Sequence, residues 1–296
     1  MGELVNQTIE GTYNYFSDYF ELTKPTIGLL VIFTAFASMH LAAKGSPDLD
    51  IVCFGLIGIG LASAASGVLN NYVDRDIDPL MRRTKNRALA AGRVSSVSVL
   101  FLGFSLALTS FIILTTLVNL KSALLAIFII FFYVAIYSKW LKRTTYWCTE
   151  IGGIAGALPP LIGWIAITNS ISWEVIPLFL LLFLWQPPHF WALALLKTDE
   201  YKNAGIPILP VVKGELSTKR RMLVYTIALL PVSLLLCIMY EVSLFFYIYS
   251  LLINSIYLFK TLIFYRSEIS RKASMNLFSY SILYIFLIFG MLFFII

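Results

Sequence analysis

Charge is scarce in this chain. Asp, Glu, Lys and Arg make up 13% of the 296 residues, about half the share usual in soluble domains, while hydrophobic residues make up 59% and mean hydropathy is +0.84. That balance excludes an ordinary soluble domain. Cysteine occurs three times, as Cys53, Cys148 and Cys237, with no CxxC pair and no histidine at metal-ligand spacing, so the three read as inert core thiols. Histidine occurs twice, as His40 and His189. The opening segment 1–26 lacks a basic stretch followed by an apolar core, so no cleaved signal peptide is expected there. No RNA- or DNA-binding motif is present, and the net charge of +6 points to topology and a polyanionic substrate, with no nucleic acid as partner.

Long apolar runs fill the rest. Runs of membrane-spanning length fall near 27–43, 51–73, 97–118, 121–138, 147–168, 174–196, 222–240, 242–264 and 276–296. The expected fold is all-α: a polytopic membrane protein of nine transmembrane helices forming one domain over 1–296, with 1–26 as a cytoplasmic N-terminal segment. Of the 22 Lys and Arg, 20 lie before the first run, after the second, fourth and sixth, or at the end of the eighth and beyond it, leaving Lys44 and Lys121 on the opposite face. The positive-inside rule then puts the N-terminus and the basic loops in the cytoplasm, with the chain in the lipid bilayer of the inner or plasma membrane.

The stretch NNYVDRDIDPLMRRTKNRAL, residues 70–89, concentrates polar groups at the end of the second run. Asn70, Asp74 and Asp78 recur every four residues, which on a helix places them along one slowly drifting face. Hard oxygen donors crowded in this way suit Mg²⁺. Arg82, Arg83, Lys85 and Arg87 follow, cations of the kind that neutralise a diphosphate. A charge-balanced, solvated loop at the membrane surface is the other reading of the same run. A second cluster, KTDEYKNAG with Asp199, Glu200 and Lys202, ends the sixth run in the same way. The chain therefore reads as two four-helix halves plus a ninth helix around a central cavity, with Asp74 and Asp199 facing it and the site at the repeat interface.

Small and kinked stretches mark close helix contacts. Gly55, Gly58, Gly60 and Gly67 accompany Ala and Ser in the second run, and IGGIAGALPPLIGW (151–164) carries Gly152, Gly153, Gly156, Pro159 and Pro160. The two prolines must break that helix, and the glycines serve either packing or a ligand. LWQPPHFWALAL (184–195) sets His189 after Pro187 and Pro188, among Trp185, Phe190 and Trp191. An intramembrane histidine marks either a functional site or a hydrogen-bonded kink. In YSKWLKR (137–143), Lys142 and Arg143 are orientation charges, and Tyr137 at the helix end has a hydroxyl available to the same cavity.

These segments, with DEYKNAGIPILPVVKG, resemble in order and separation the heme-farnesylating branch of the UbiA-type intramembrane prenyltransferases, over nearly the whole chain from about Leu22. The acidic run at 70–78 marks the superfamily; PPHFWALAL and AGIPILPVV mark the heme branch. The resemblance implies farnesyl transfer from farnesyl diphosphate to a vinyl group of heme b with addition of water, giving heme O, with Mg²⁺ as cofactor and a downstream heme A synthase as a partner. It implies Asn70, Asp74 and Asp78 as the first metal-binding motif, Asp199 at the second, and Arg83 and Arg87 as diphosphate ligands, to which Arg82, Lys85, Lys142 and Lys202 add charge. His189 and Trp185, with Tyr137, are expected on the substrate side, and Tyr72, Trp164, Phe190 and Trp191 as further aromatic lining. The second cluster departs from a repeated DxxxD, and Glu150 has no assigned role. The alternatives are a relative with an aromatic acceptor, and a secondary transporter, against which the position of the acids at helix ends near one surface argues.

Overall fold

The computed structural model describes residues 15–295; residues 1–14 of the expected N-terminal segment, and Ile296, lie outside the described residues. Among the described residues there is no strand, and nine helices are long and apolar enough to cross a membrane. They are α1 Pro25–Ala43, α2 Leu49–Val73, α3 Ser96–Leu117, α4 Leu120–Thr144, α5 Cys148–Thr168, α6 Trp173–Asn203, α7 Leu209–Met239, α8 Leu244–Arg266 and α9 Arg271–Phe294. Apolar side chains surround most of them on all sides, as lipid on one flank and protein on the other both require.

The boundaries that differ most from the sequence expectation lie on the basic side. α4 runs past 138 to Thr144, α6 runs past 196 to Asn203, and α7 begins at Leu209, so the expected loop after α6 shrinks to the link 204–208. Hydropathy marks where lipid ends, whereas a helix ends where its backbone ladder does, and Glu, Lys and Leu continue that ladder in water. The long α7 is interrupted at Gly214, whose φ of 75° lies in the left-handed region that glycine tolerates.

α2 likewise stops at Val73, and Asp78 opens a separate 3₁₀ turn, Asp78–Leu80, so the three polar residues do not share one helix as the spacing predicted. The spacing survives nonetheless. The Asp74 N–H donates to the Asn70 carbonyl at 2.9 Å and the Asp78 N–H to the Asp74 carbonyl at 2.8 Å, so helix-like bonds carry the stripe beyond the helix end.

Packing groups α1 to α5 on one side and α6 to α9 on the other, with α5 against α6 and α9 returning to α1. The ninth helix closes the second group by packing on both α6 and α8. Polar contacts inside the membrane layer tie helices together: Ser110 Oγ donates to Gly58 O at 2.7 Å, and Asn254 links Ser233 at 2.9 Å to Tyr284 at 3.1 Å. α5 breaks at Leu158, just before Pro159 and Pro160, and Ser38 of α1 donates to the Pro160 carbonyl at 2.7 Å. The glycines serve packing there: an added Cβ on Gly152 would meet the Tyr137 ring at 2.3 Å, and one on Gly156 would meet Gln186 Oε1 at 2.2 Å.

Gly163 is the tightest backbone approach, since a Cβ there would stand 2.4 Å from the carbonyl oxygen of Ala35 in α1. Gly163→Val should therefore cost about 1–3 kcal/mol of stability, read as a lowered unfolding temperature in detergent. Gly290→Ala, where a Cβ meets nothing within 4 Å, should be neutral or slightly stabilising.

Candidate active site

The ends of α2 and α4 meet in register. Asn70 Nδ2 donates to Ser138 Oγ at 2.8 Å, and Lys142 Nζ to Asp74 Oδ2 at 2.7 Å, each pair separated by 68 residues. Two contacts one helical turn apart on both partners mean that the helices run parallel, as two even-numbered spans must. Arg143 completes the clamp, with Nη1 at 2.6 Å and Nη2 at 2.7 Å from the two carboxylate oxygens of Asp76, and Nη2 at 2.7 Å from the free carbonyl of Val73. That guanidinium satisfies the C-terminal end of α2 and holds the exposed Asp76 carboxyl below the usual carboxylate range.

The segment of α4 that supplies these contacts, Phe132–Leu141, is π-helical, a local widening often found at functional sites. Within it Ser138 Oγ donates to Tyr133 O at 2.8 Å. Having spent its one proton there, the hydroxyl accepts from Asn70, whose amide nitrogen also reaches Asp74 Oδ2 at 3.0 Å. The Asn70 oxygen is thereby turned the other way, towards the ammonium of Lys24. Lys24 itself has a left-handed backbone, φ 54°, just before Pro25. Burial, then the neighbouring Arg87, brings its ammonium down to about 7 against the opposing pull of Asp74 and Asp78.

Asp78 is folded back on the loop. Arg87 Nη1 lies 3.0 and 2.8 Å from its two oxygens, and Thr84 Oγ1 donates to its backbone carbonyl at 2.9 Å. Its carboxylate is thus already paired, whereas Asp74 Oδ1 is buried with no hydrogen-bond donor. On α6, Asp199 is exposed, and it is the adjoining Glu200 that holds a buried oxygen, Oε2, without a partner. Arg83, from the loop after α2, lies within electrostatic reach of Lys197 and Tyr201 on that helix. Arg82, Arg83, Lys85 and Lys202 are exposed, and Tyr137 is half-buried against Gly152.

Buried carboxylate oxygens without donors call for a cation. Among the described residues no three acidic, histidine or cysteine side chains converge closely enough to hold a metal by themselves. The carboxylate oxygens left without a donor, Asp74 Oδ1 on the α2 side and Glu200 Oε2 on α6, are of the kind that suits Mg²⁺, which takes one or two carboxylates and leaves its other positions to water and phosphate.

The expected aromatic residues divide into two places. Trp164, Trp185 and Trp191 are buried in the large core that also touches Phe190, Tyr137 and Tyr201. Tyr72 lies outside it, in the cluster of Leu22, Val68 and Val99, with the Arg75 guanidinium 4.1 Å from its ring centroid. His189 is half-buried on α6, its Nδ1 2.7 Å from Ser281 Oγ of α9. Glu150 pairs with Arg221 Nη1 at 2.7 Å, tying α5 to α7.

Residues 30–294 match the model of the UbiA prenyltransferase family. The chain belongs to that family. It is 43% identical over 286 residues to a protoheme IX farnesyltransferase of Aquifex aeolicus, covering 97% of each chain. A protein of the same name from Gloeobacter violaceus is 42% identical over 92% of this chain and 90% of its own. Among solved structures, a digeranylgeranylglyceryl phosphate synthase superposes with a TM-score of 0.77 at 14% identity, over 94% of this chain and 97% of its own. A UbiA homolog from Archaeoglobus fulgidus bound to DMAPP and Mg²⁺ gives 0.71 at 16% identity, over 94% of this chain and 100% of its own. At such identities the structures establish the shared fold of this UbiA-family chain.

Lys24 and Ser138 are site residues that carry no signal of a site in the sequence, and Glu200 is legible there only as a member of the second acidic cluster. Lys24 counted there only as an orientation charge, and Ser138 has no signal in the sequence beyond its place four residues before Lys142. Removing one partner of the Arg87–Asp78 pair, whose side chains are 18% and 5% exposed, should be costly. Arg87→Met should lose about 3 kcal/mol or more by stranding a buried carboxylate, and the double variant with Asp78→Leu should recover most of it, both measured by thermal unfolding in detergent.

Proposed function

We propose that this chain transfers the farnesyl group of farnesyl diphosphate to a vinyl group of heme b with addition of water, giving heme O for terminal heme–copper oxidases. The observation that carries the reading is the buried, donor-free oxygen of Asp74 among cations, in a chain alike over nearly its whole length to proteins named protoheme IX farnesyltransferase. The basic helix ends face the cytoplasm of the plasma membrane on this reading, and the product passes to an enzyme of the heme A synthase class.

Asp74 and Glu200, with Asp199 beside the latter, would hold Mg²⁺, Asn70 would join them where Lys24 turns to the diphosphate, and Asp78 keeps Arg87 in place. When bound, the ion neutralises charge developing on the diphosphate. Arg83, Arg87, Lys24 and Lys142 present further cations to the same leaving group, which is electrophilic catalysis by preorganised charge. The electron pair of the allylic C–O bond departs with the diphosphate. The vinyl π pair of heme then forms the new C–C bond, and the cation left beside the porphyrin takes the oxygen of water while a proton is released. Trp164, Trp185, Trp191 and Phe190 keep the farnesyl cation away from water until that attack, and His189 holds the acceptor porphyrin.

Membranes containing the chain, given farnesyl diphosphate, heme b and Mg²⁺, should form a heme heavier by a farnesyl and a hydroxyl group, and EDTA should stop its formation. Prenylation of 4-hydroxybenzoate with heme untouched would overturn the heme assignment in favour of an aromatic acceptor. Asp74→Asn should retain the fold and lower turnover by about 10²-fold or more, on the scale of electrostatic catalytic groups; normal turnover at limiting Mg²⁺ would remove Asp74 from the metal site.

A further inference from the structure

His189 is fixed from α9 in a way that determines which of its nitrogens is free. Ser281 Oγ donates to the carbonyl of Phe278 at 2.6 Å, and a hydroxyl has one proton to give. The 2.7 Å contact between Ser281 Oγ and His189 Nδ1 is therefore donated by the imidazole. Nδ1 carries the proton, and Nε2 keeps its lone pair. Among the described residues Nε2 has no hydrogen-bond partner, and it is not one of the sealed-off buried atoms.

The ring is also held flat. Trp185 and Phe278 flank it with centroids at 4.4 and 4.5 Å and planes within 23° and 24° of its own. Trp185 Nε1 in turn donates to the carbonyl oxygen of Ser281 at 2.7 Å. One residue of α9 thus bonds both the histidine and one wall of its clamp. A histidine that served only to bridge two helices would gain most from pairing both nitrogens, whereas this one directs a single accessible lone pair away from its anchor.

We propose that Ser281 is a positioning residue which locks His189 in the Nδ1–H tautomer, so that Nε2 serves as the axial ligand to the iron of the heme acceptor. The inference rests on heme being the substrate. A histidine that ligates a metal commonly donates its other N–H to an oxygen that orients it and sets its basicity. A neutral hydroxyl in that place gives the imidazole less anionic character than a carboxylate does. The resulting bond is the weaker kind that suits a heme which must leave as product.

The test is resonance Raman spectroscopy of ferrous heme b bound to the purified full chain, together with heme affinity and the KM for farnesyl diphosphate. Wild type should show an iron–histidine stretch that His189→Ala abolishes. Ser281→Val should move that stretch to lower frequency and weaken heme binding about tenfold, the scale for such supporting groups, while the KM for farnesyl diphosphate stays within about twofold. Ser281→Thr, which matches valine in shape but restores the hydroxyl, should return both heme readouts towards wild type and serves as the folding control. A wild-type spectrum lacking the stretch would remove iron ligation by His189 and this inference with it. A wild-type stretch that stays unchanged in Ser281→Val would overturn the role of Ser281 and leave the heme reading standing. Equal losses in the valine and threonine variants would assign Ser281 to helix packing alone.

Discussion

The parallel clamp between the ends of α2 and α4 is the constraint on which the rest of the site depends. Two buried acids, Asp74 and Asp78, and the amide of Asn70 stand where apolar helices end, and unpaired charge at such a depth is prohibitive. Lys142 and Arg143 from α4, Arg87 from the following loop and Lys24 from the start of α1 each answer one of these groups or a neighbour. The assembly is over-supplied with cations relative to its acids, and one acid oxygen is still left bare. On the proposed function, that surplus of cations and the bare oxygen are what a polyanion arriving with a metal ion requires.

The glycines and prolines of α5 make the clamp possible from behind. Tyr137, one residue before the serine that orients Asn70, lies against Gly152, and any larger residue there would displace the Tyr137 ring and with it the π-helical segment of α4. The break at Leu158 brings the second half of α5 into backbone contact with α1 at Gly163, and the carbonyl of Pro160 finds Ser38 there. Lipid offers no hydrophobic force between helices, so close backbone approach and a few paired hydroxyls supply the cohesion.

Two polar anchors therefore serve the two halves of the molecule by the same physical device. Ser138 spends its proton on Tyr133 and thereby turns the Asn70 amide, while Ser281 spends its proton on Phe278 and thereby sets the His189 tautomer. In each case the hydroxyl proton satisfies a carbonyl in its own helix, and the oxygen lone pair dictates the orientation of a side chain from another. Serine suits this work inside a membrane because it is small enough for a helix interface and can satisfy its own donor locally.

The sequence by itself determined the membrane class, the nine spans, the acidic run at 70–78 and the break at Pro159, because hydropathy, four-residue spacing and the missing proline N–H are local properties of the chain. It also made Asp74, Arg87 and Lys142 legible as one chemistry, since acids and cations at the ends of even-numbered spans must lie on the same side. Which of them pair was decided only by tertiary structure. Asp78 is taken by Arg87, the buried oxygen without a partner in the second cluster belongs to Glu200 while Asp199 is exposed, and Lys24 reaches Asn70 across 46 residues. Tyr72 leaves the aromatic core for the same reason. Partner choice depends on the rotation of each helix about its axis, and in a chain apolar on every face that rotation leaves almost no periodic trace; it is set by where glycine lets two backbones touch and where a π-helical segment shifts the next turn.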